Sequence, residues 1–269
     1  MSLRLISLLV FPLLSVAQPQ FEVASIKMSS GPGPIRFSGG PETETPTRVT
    51  GRRQTLFNLI CQAYGVPGYL VAGPEWLATQ TPGTPRFDFD ANVPLEATRA
   101  EFGLMLQRFL AERFALQTHR ERRESTVLHL KLGKDAPKLH ANTDPPAPEG
   151  TPIKLGPPGP DGFPTVPPGL SNLLPKQDAN GMQLKFVRVD MARLALNIAN
   201  LQSQPAVDDT GLNGNYDFIL RFAFGGASDN TEPDLPTAIQ EQLNLKLVPG
   251  KAPVEFLVVD RAAKLPTGN

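Results

Sequence analysis

The clearest hydrophobic pattern in the chain is an amphipathic stretch near residue 100. Its apolar side chains recur at the three- and four-residue spacing of one helical face. They are Phe102, Met105, Leu106, Phe109 and Leu110. Thr98 precedes this stretch and Glu101 follows three residues later, which is the arrangement of a capping box. The pattern therefore predicts a helix that begins just after Thr98 and buries one face.

Three further segments combine a capping residue with an apolar helical face. They span residues 55–65, 190–201 and 234–243. The first begins at Thr55 and stops at Gly65, because glycine readily adopts the left-handed conformation that ends a helix. These segments predict three more helices.

Between the helices, apolar and polar residues alternate with the two-residue period of a strand. Phe87 and Phe89 point to one side of such a segment, and Asp88 and Asp90 point to the other. Residues 29–47 are rich in Gly, Pro, Ser and Thr and predict a loop. The predicted strands are 20–29, 69–73, 86–93, 182–190, 205–211 and 215–222.

Two further segments resemble hairpins. Phe114 to Thr118 and Val127 to Leu132 are strand-like and flank the charged run RERRE at 120–124. Residues 245–260 show two strand-like runs on either side of a Pro-Gly pair, which favours a turn. We therefore expect His119 and His129 on opposite arms of the first hairpin, near each other.

A shared offset indicates that the chain is an internal duplication. The tripeptide FDF at 87–89 matches YDF at 216–218, and Phe114 matches Leu243, each 129 residues later (216 − 87 and 243 − 114). Each half contains a strand, a helix, two strands, a helix and two strands. The predicted fold class is α+β, with helices packed on a mainly antiparallel sheet. Two unrelated α+β halves are the alternative.

A proline-rich segment separates the predicted halves. Residues 144–176 contain 11 of the 29 prolines, so they cannot form a helix or a central strand. We expect a first α+β half at 18–142, a linker or surface loop at 143–180, and a second half at 181–269. A polyproline ligand is the alternative for the linker, although no repeated PxxP pattern flanked by charge is present.

The first 17 residues have the organisation of a signal peptide. Arg4 is followed by an apolar run from Leu5 to Leu14, and Ser15 and Ala17 are small residues before the expected cut. A membrane anchor is the alternative, but the run is shorter than the roughly 20 apolar residues that span a bilayer. We expect a cleaved signal peptide at 1–17, an extracytoplasmic location, and no stable membrane span after cleavage.

Charge and cysteine content narrow the classes of function. Basic and acidic residues both number 26, so no basic excess points to a nucleic-acid partner. Cys61 is the only cysteine, which excludes an internal disulfide. Its helical, apolar surroundings favour a buried thiol over a catalytic nucleophile.

No residue pattern indicates a specific reaction. His119, His129 and His140 lack metal-ligand spacing, so exposed histidines are favoured over a metal site. Asp208 and Asp209 precede Thr-Gly and are typical of a turn. An aspartic-protease site would need a second such motif. We therefore assign no catalytic residue, no cofactor and no metal ligand.

Two surface features remain candidates for binding. The run RERRE at 120–124 favours a solvated tip, with a phosphate or acidic-lipid patch as the alternative. Trp76, in GPEWLAT, is the only tryptophan. A single tryptophan of this kind usually packs at the edge of the core. Partner binding is the alternative, and Trp76 is our one candidate partner-binding residue.

Several segments resemble the soil-bacterial TIGR03435 family, a paralogous set abundant in Acidobacteria and covered by a domain of unknown function. They are FEVASIK, LICQAYGV, GPEWL, RFDFDA, MLQRFLAERFALQTHRERRE, PAVDDTGLNGNYDF and AIQEQLNLKLVPGKAPVEFLVVD. The resemblance spans the chain after the signal peptide except the linker, and it implies export without an established activity. A weaker pattern, TLxxLIxxAYG followed by two short strands, is similar to the N-terminal short domains of secretins and TonB-dependent receptors, which bind partner proteins.

These features favour an exported, non-catalytic module that binds a protein or a cell-envelope component. An extracytoplasmic hydrolase with an unrecognised site is the alternative. A cluster of titratable side chains in one pocket would favour the hydrolase, whereas an exposed sheet edge or groove would favour the binding module.

Overall fold

The computed structural model describes residues 19–78, 81, 83–148, 151, 153–178, 180–224 and 232–268. The predicted signal peptide lies outside these residues. The chain divides into two compact units. Unit 1 consists of Met1–His119 and Leu257–Asn269, and unit 2 consists of Arg120–Phe256. These bounds differ from the predicted halves, and the proline-rich segment belongs to unit 2.

The chain combines helices with three mostly antiparallel sheets, which makes the fold α+β as expected. In chain order they are β1 (Val23–Met28), β2 (Arg36–Gly39), β3 (Arg48–Gln54), α1 (Leu56–Tyr64), β4 (Val71–Ala72), α2 (Glu75–Ala78), β5 (Phe87–Asn92), α3 (Arg99–Phe114), β6 (Gln117–Leu132), β7 (His140–Asn142), β8 (Asn172–Asp178), β9 (Gly181–Val189), α4 (Met191–Gln202), β10 (Ala206–Asp208), β11 (Asn215–Phe222), α5 (Leu235–Leu243) and β12 (Leu245–Arg261).

Unit 1 packs α1 and α3 on an antiparallel sheet with the strand order β1-β5-β3-β2. Phe87 and Phe89 are buried, as the alternation in β5 predicts. Their rings contact Phe114 and Phe109 of α3, with centroid distances of 5.2 and 5.3 Å. Such aromatic contacts add to the large apolar area that each ring removes from water.

The helix ends of unit 1 confirm the predicted caps. The Thr55 side chain accepts a hydrogen bond from the Asn58 amide, and Gly65 ends α1 with a φ of 61°. Thr98 and Glu101 form the capping box that begins α3. Thr55 and Thr98 satisfy amides that the first helical turn leaves without a partner, and the Gly65 amide donates to the Cys61 carbonyl in the last turn of α1.

Unit 2 has an antiparallel sheet with the order β7-β11-β9-β8, and α4 and α5 cover one face. Phe186 of β9 and Phe218 of β11 stack at 4.6 Å within its core. A third sheet has the order β10-β6-β12-β4. The boundary between the units falls inside its two long strands, β6 and β12.

Both units contain the same bulge just before a helix. Arg53 and Arg188 have positive φ values of 55° and 53° and interrupt the register of β3 and β9. The Arg53 amide donates to Asp88 at 3.0 Å, and the Arg188 amide donates to Asp217 at 2.7 Å. A carboxylate from the neighbouring strand thus holds each bulge in a conformation that non-glycine residues rarely adopt.

The two units also share their element order. Strand order β1-β5-β3-β2 corresponds to β7-β11-β9-β8. Phe114 ends α3 and Leu243 ends α5, and each is followed by a residue of positive φ. The internal duplication stays a proposal, whose test is a superposition that places Phe87 on Tyr216 and Phe114 on Leu243.

Four local predictions are wrong. Residues 117–132 form the single strand β6 rather than a hairpin, and residues 245–261 form the single strand β12. Phe114 belongs to α3. The predicted loop 29–47 contains β2. Charged residues mimic a turn in β6 because residues 119–124 are exposed on both sides of the strand, where charge is tolerated.

The proline-rich segment contains ordered contacts. Its end forms β8, and Pro158 and Pro164 make an isolated antiparallel bridge. Phe163 is only 1% exposed. The segment therefore has at least one anchor within unit 2, although prolines prevent it from forming a helix.

Candidate functional site

A cleft with a volume of about 680 Å³ lies in unit 1. It is bordered by β2, the C-terminal end of α1 and the N-terminal half of α3. Its lining residues are Phe37, Ser38, Gly39, Pro41, Thr43, Gln62, Ala63, Tyr64, Gly65, Arg99, Ala100, Phe102, Gly103 and Gln107. This volume falls within the range of small-molecule sites.

The close approach of two helices shapes the floor of the cleft. A Cβ atom at Gly103 of α3 would lie 3.0 Å from the Ala63 carbonyl of α1, so glycine allows the two backbones to meet. The same carbonyl accepts a hydrogen bond from the side-chain Nε2 of Gln107 at 2.9 Å. A larger residue at position 103 would push α3 away from α1 and change the floor.

The cleft lining combines aromatic rings with neutral polar groups. Phe37 and Tyr64 are half-buried, and Gln62 is exposed. The Tyr64 hydroxyl accepts a hydrogen bond from Thr118 at 2.8 Å, which fixes the orientation of the phenol. Such a lining offers ring faces for stacking and amides for hydrogen bonds.

Charge enters the cleft only at its rim. Arg99 is the one basic lining residue, and it faces Glu42 at 3.8 Å. Both side chains are largely exposed, so this ion pair contributes little to stability. The lining contains no aspartate, glutamate, histidine or cysteine that could act as an acid or base near neutral pH.

Trp76 lies in the short helix α2, at the edge of the unit 1 core. It is half-buried against that core, and the Lys264 ammonium lies 5.5 Å from its ring centroid. Both residues also border a shallower pocket of about 360 Å³. Trp76 packs at the edge of the core, as expected. Partner binding at Trp76 stays a prediction.

The histidines do not come together as we expected. His119 and His129 lie ten residues apart on the one strand β6 rather than on two arms. Each instead meets an aspartate from elsewhere. His119 Nδ1 lies 2.9 Å from Asp260, and His129 Nδ1 lies 2.5 Å from Asp209.

The two predicted aspartates have separate roles. Asp208 Oδ1 accepts hydrogen bonds from the amide and the hydroxyl of Thr210, at 2.9 and 2.7 Å. These are the bonds of a turn, as the sequence indicates. Asp209 orients His129, which sequence reasoning did not connect with it.

Cys61 lies on the half-buried side of α1. Burial raises the pKa of its thiol to about 11, and a backbone hydrogen bond lowers it by less. Since the thiolate is the reactive form, this thiol is poorly suited to act as a nucleophile near neutral pH.

The charged run at 120–124 is part of β6. The Arg120 guanidinium binds Glu255 at 2.6 Å, and Arg123 lies 4.1 Å from the Phe256 ring centroid. These arginines contact residues of β12, so the run is a paired strand rather than a free tip.

Two absences hold for the part of the chain that the structure describes. No group of three or more His, Cys, Asp or Glu side chains is placed to hold a metal ion. No helix there is long and apolar enough to cross a membrane.

The fold and the cleft define an α+β protein with a large concave site in unit 1, whose one charged lining residue is Arg99. A family model described as "Protein of unknown function (DUF3738)" matches residues 57–262. The chain therefore belongs to the DUF3738 family. Neither a search of curated proteins nor a search of solved structures gave a significant match.

Sequence reasoning missed the cleft residues Phe37, Gln62 and Gln107. Phe37 lies in β2, within a segment predicted as a loop. The two glutamines are ordinary helical residues by pattern. The only local signals near the cleft are Gly65, which ends α1, and the capping box that begins α3.

Proposed function

We propose that the protein is an exported, non-catalytic binding module, and that the unit 1 cleft binds an uncharged glycan of the cell envelope. The observation that carries this proposal is the lining of the cleft, which pairs ring faces with amides and hydroxyls. Sugar rings present apolar C–H faces beside many hydroxyls, so they complement such a lining. A charged ligand would lack a counter-charge there, because Arg99 already faces Glu42.

Export rests on the signal-peptide pattern at residues 1–17 and on the resemblance to TIGR03435. The mature chain is then expected to begin at Gln18. Intact mass of the protein recovered outside the cytoplasm checks this, and retention of Met1 to Ala17 would contradict it.

The binding test uses co-sedimentation with insoluble peptidoglycan, chitin and cellulose. We expect wild-type protein to sediment with at least one of them, and Gln62→Ala to reduce the bound fraction several-fold. Gln202→Ala is a matched control, because Gln202 is also an exposed glutamine near a helix end. Equal binding by the wild type and Gln62→Ala, or no binding to any polymer, would contradict a glycan site in the cleft.

A protein partner is the competing occupant, and the same variants distinguish it. Cross-linking in native envelope, followed by mass spectrometry, identifies proteins that contact the wild type. If Gln62→Ala loses a cross-linked protein and no glycan binding is seen, the cleft is a protein-docking site.

The His–Asp pairs favour a hydrolase as the second candidate. An aspartate that orients a histidine is half of the arrangement that activates a nucleophile. His129 is the better base candidate, because its side chain is only 17% exposed whereas that of His119 is 51% exposed. Among the described residues, no hydrogen bond joins either imidazole to a serine, threonine or cysteine.

Substitutions at these pairs separate the two candidates. If the protein is a binding module, His119→Ala and Asp209→Asn leave its activity intact, as does Cys61→Ala. Thermal melting of each variant controls for stability. Loss of biological activity at an unchanged melting temperature, in any of these variants, would establish the hydrolase instead.

A further inference from the structure

Unit 2 contains a second groove, on the face of its sheet opposite to α4 and α5. The groove has a volume of about 530 Å³. Apolar side chains from the proline-rich segment and the sheet line one part, and basic side chains line another. The apolar residues are Val166, Val187 and Ile219, and the basic ones are His140, Lys185 and Arg221.

The sheet register brings these two parts together. Ile219 and Arg221 lie two residues apart on β11, so they share one face of the strand. On β9, Lys185 is the register partner of Ile219, and Gln183 is the partner of Arg221. The apolar Ile219 therefore has one cation, Arg221, on its own strand and another, Lys185, on the adjacent strand.

The proline-rich segment already places an acid and an aromatic ring on this face. Asp161 binds the Lys185 ammonium at 2.6 Å. The ring of Phe163 lies 5.6 Å from the Lys176 ammonium and 5.9 Å from that of Lys185. Phe163 is buried. The face thus accommodates a carboxylate together with an apolar ring from the chain's own sequence.

The charges of the groove are not all balanced. Asp161 neutralises Lys185, whereas Asp217, among the described residues, accepts only from the uncharged Arg188 backbone amide and Asn142 side chain and keeps its negative charge. The Arg221 side chain donates to the neutral Gln183 amide oxygen at 3.3 Å. No carboxylate forms an ion pair with Arg221 among the residues that the structure describes. Arg221 is therefore a cation without an ion-pair partner in the described part of the chain, beside an apolar floor and four residues along β11 from the Asp217 carboxylate.

We propose that this groove binds an amphipathic carboxylate of low molecular weight. Its apolar body lies on Val166, Val187 and Ile219, and its carboxylate binds the Arg221 guanidinium. Charge-assisted bonds between arginine and carboxylate are strong and directional. This site is separate from the unit 1 cleft and does not depend on what that cleft binds.

The test is a titration of the full mature chain with phenylbutyrate, followed by NMR and calorimetry. Phenylbutanol serves as the matched neutral ligand, and acetate as the matched ligand without an apolar body. We expect phenylbutyrate to shift the amide signals of Val187 and Ile219 and to bind about tenfold more tightly than either control ligand.

Three variants connect this preference with the cations of the groove. Arg221→Gln keeps a polar side chain at an exposed position and is expected to remove the preference for phenylbutyrate over phenylbutanol. Arg193→Gln, an exposed arginine on α4, is expected to leave it unchanged. Asp161→Asn frees the Lys185 ammonium and is expected to tighten phenylbutyrate binding.

Three outcomes of these titrations would overturn the proposal. Equal affinities for phenylbutyrate and phenylbutanol would show an apolar groove without carboxylate recognition and would overturn the proposal. An unchanged preference in Arg221→Gln would overturn it as well. Absence of amide shifts in unit 2 with phenylbutyrate at millimolar concentration would show that the groove takes no such ligand.

Discussion

The aspartates that hold the two bulges provide the sharpest test of how this fold is stabilised. In Asp217→Ala, the Arg188 amide loses an acceptor at 2.7 Å, and the Asn142 side chain loses acceptors at 3.1 and 2.9 Å. A hydrogen bond to a charged group contributes about 1.5–3 kcal/mol. Since the site is half-buried, we expect the lower part of that range for each of the two partners, and about 3–4 kcal/mol in total.

The corresponding change in unit 1 is smaller. Asp88→Ala removes the acceptor of the Arg53 amide at 3.0 Å, and we expect a loss of about 1–2 kcal/mol. Asp90→Ala is the matched control, because Asp90 lies on the same face of β5 and binds the Arg52 side chain instead of a backbone amide. That ion pair is partly exposed, so its loss is expected to reduce stability by at most about 1 kcal/mol.

Urea unfolding and amide hydrogen exchange measure these effects together. Unfolding reports the free energy, and exchange at the Arg53 and Arg188 amides reports whether each bulge has opened. We expect faster exchange at Arg53 in Asp88→Ala and at Arg188 in Asp217→Ala, and little change at Arg53 in Asp90→Ala. If Asp90→Ala destabilised the protein as much as Asp88→Ala, with equal exchange at Arg53, the carboxylates would not be holding the bulges.

Three further predictions concern single groups. Burial raises the pKa of Asp88, but the Arg53 amide, the Ser29 hydroxyl and nearby cations outweigh it and lower the pKa below its ordinary value of 3.8. Its stabilisation is therefore present above pH 3.8 and is lost as the pH falls through the folded pKa, so the stability gap between wild type and Asp88→Asn should close in acid. Because the pKa of Cys61 is about 11, its reaction with a disulfide reagent at pH 8 should be slow in the folded protein and fast in urea. Limited proteolysis should first cut within residues 144–176, and Phe163→Ala should accelerate that cut by freeing the buried ring; first cuts inside other segments of both proteins would contradict this.

Features of this fold that depend on neighbouring residues can be predicted from the amino-acid sequence alone. The capping box at Thr98, the stop at Gly65 and the buried stripe of α3 all follow from contacts within one helix or its first turn. The alternation of Phe87 and Phe89 with aspartates likewise predicted which face of β5 is buried. Such patterns can be recognised in the sequence because both partners of each interaction lie within a few residues.

Tertiary structure decided the rest, since the partners lie far apart in the chain. The charged run in β6 resembles a turn until it is paired with β12, where Arg120 meets Glu255, 135 residues away. His129 meets Asp209 across 80 residues, and no local pattern joins them. The unit 1 cleft lies where Gly103 of α3 comes close to the end of α1, and residues of the proline-rich segment and of the sheet together line the unit 2 groove. The positions of the cleft and the groove therefore depend on long-range packing, because their lining residues come together only in the folded chain.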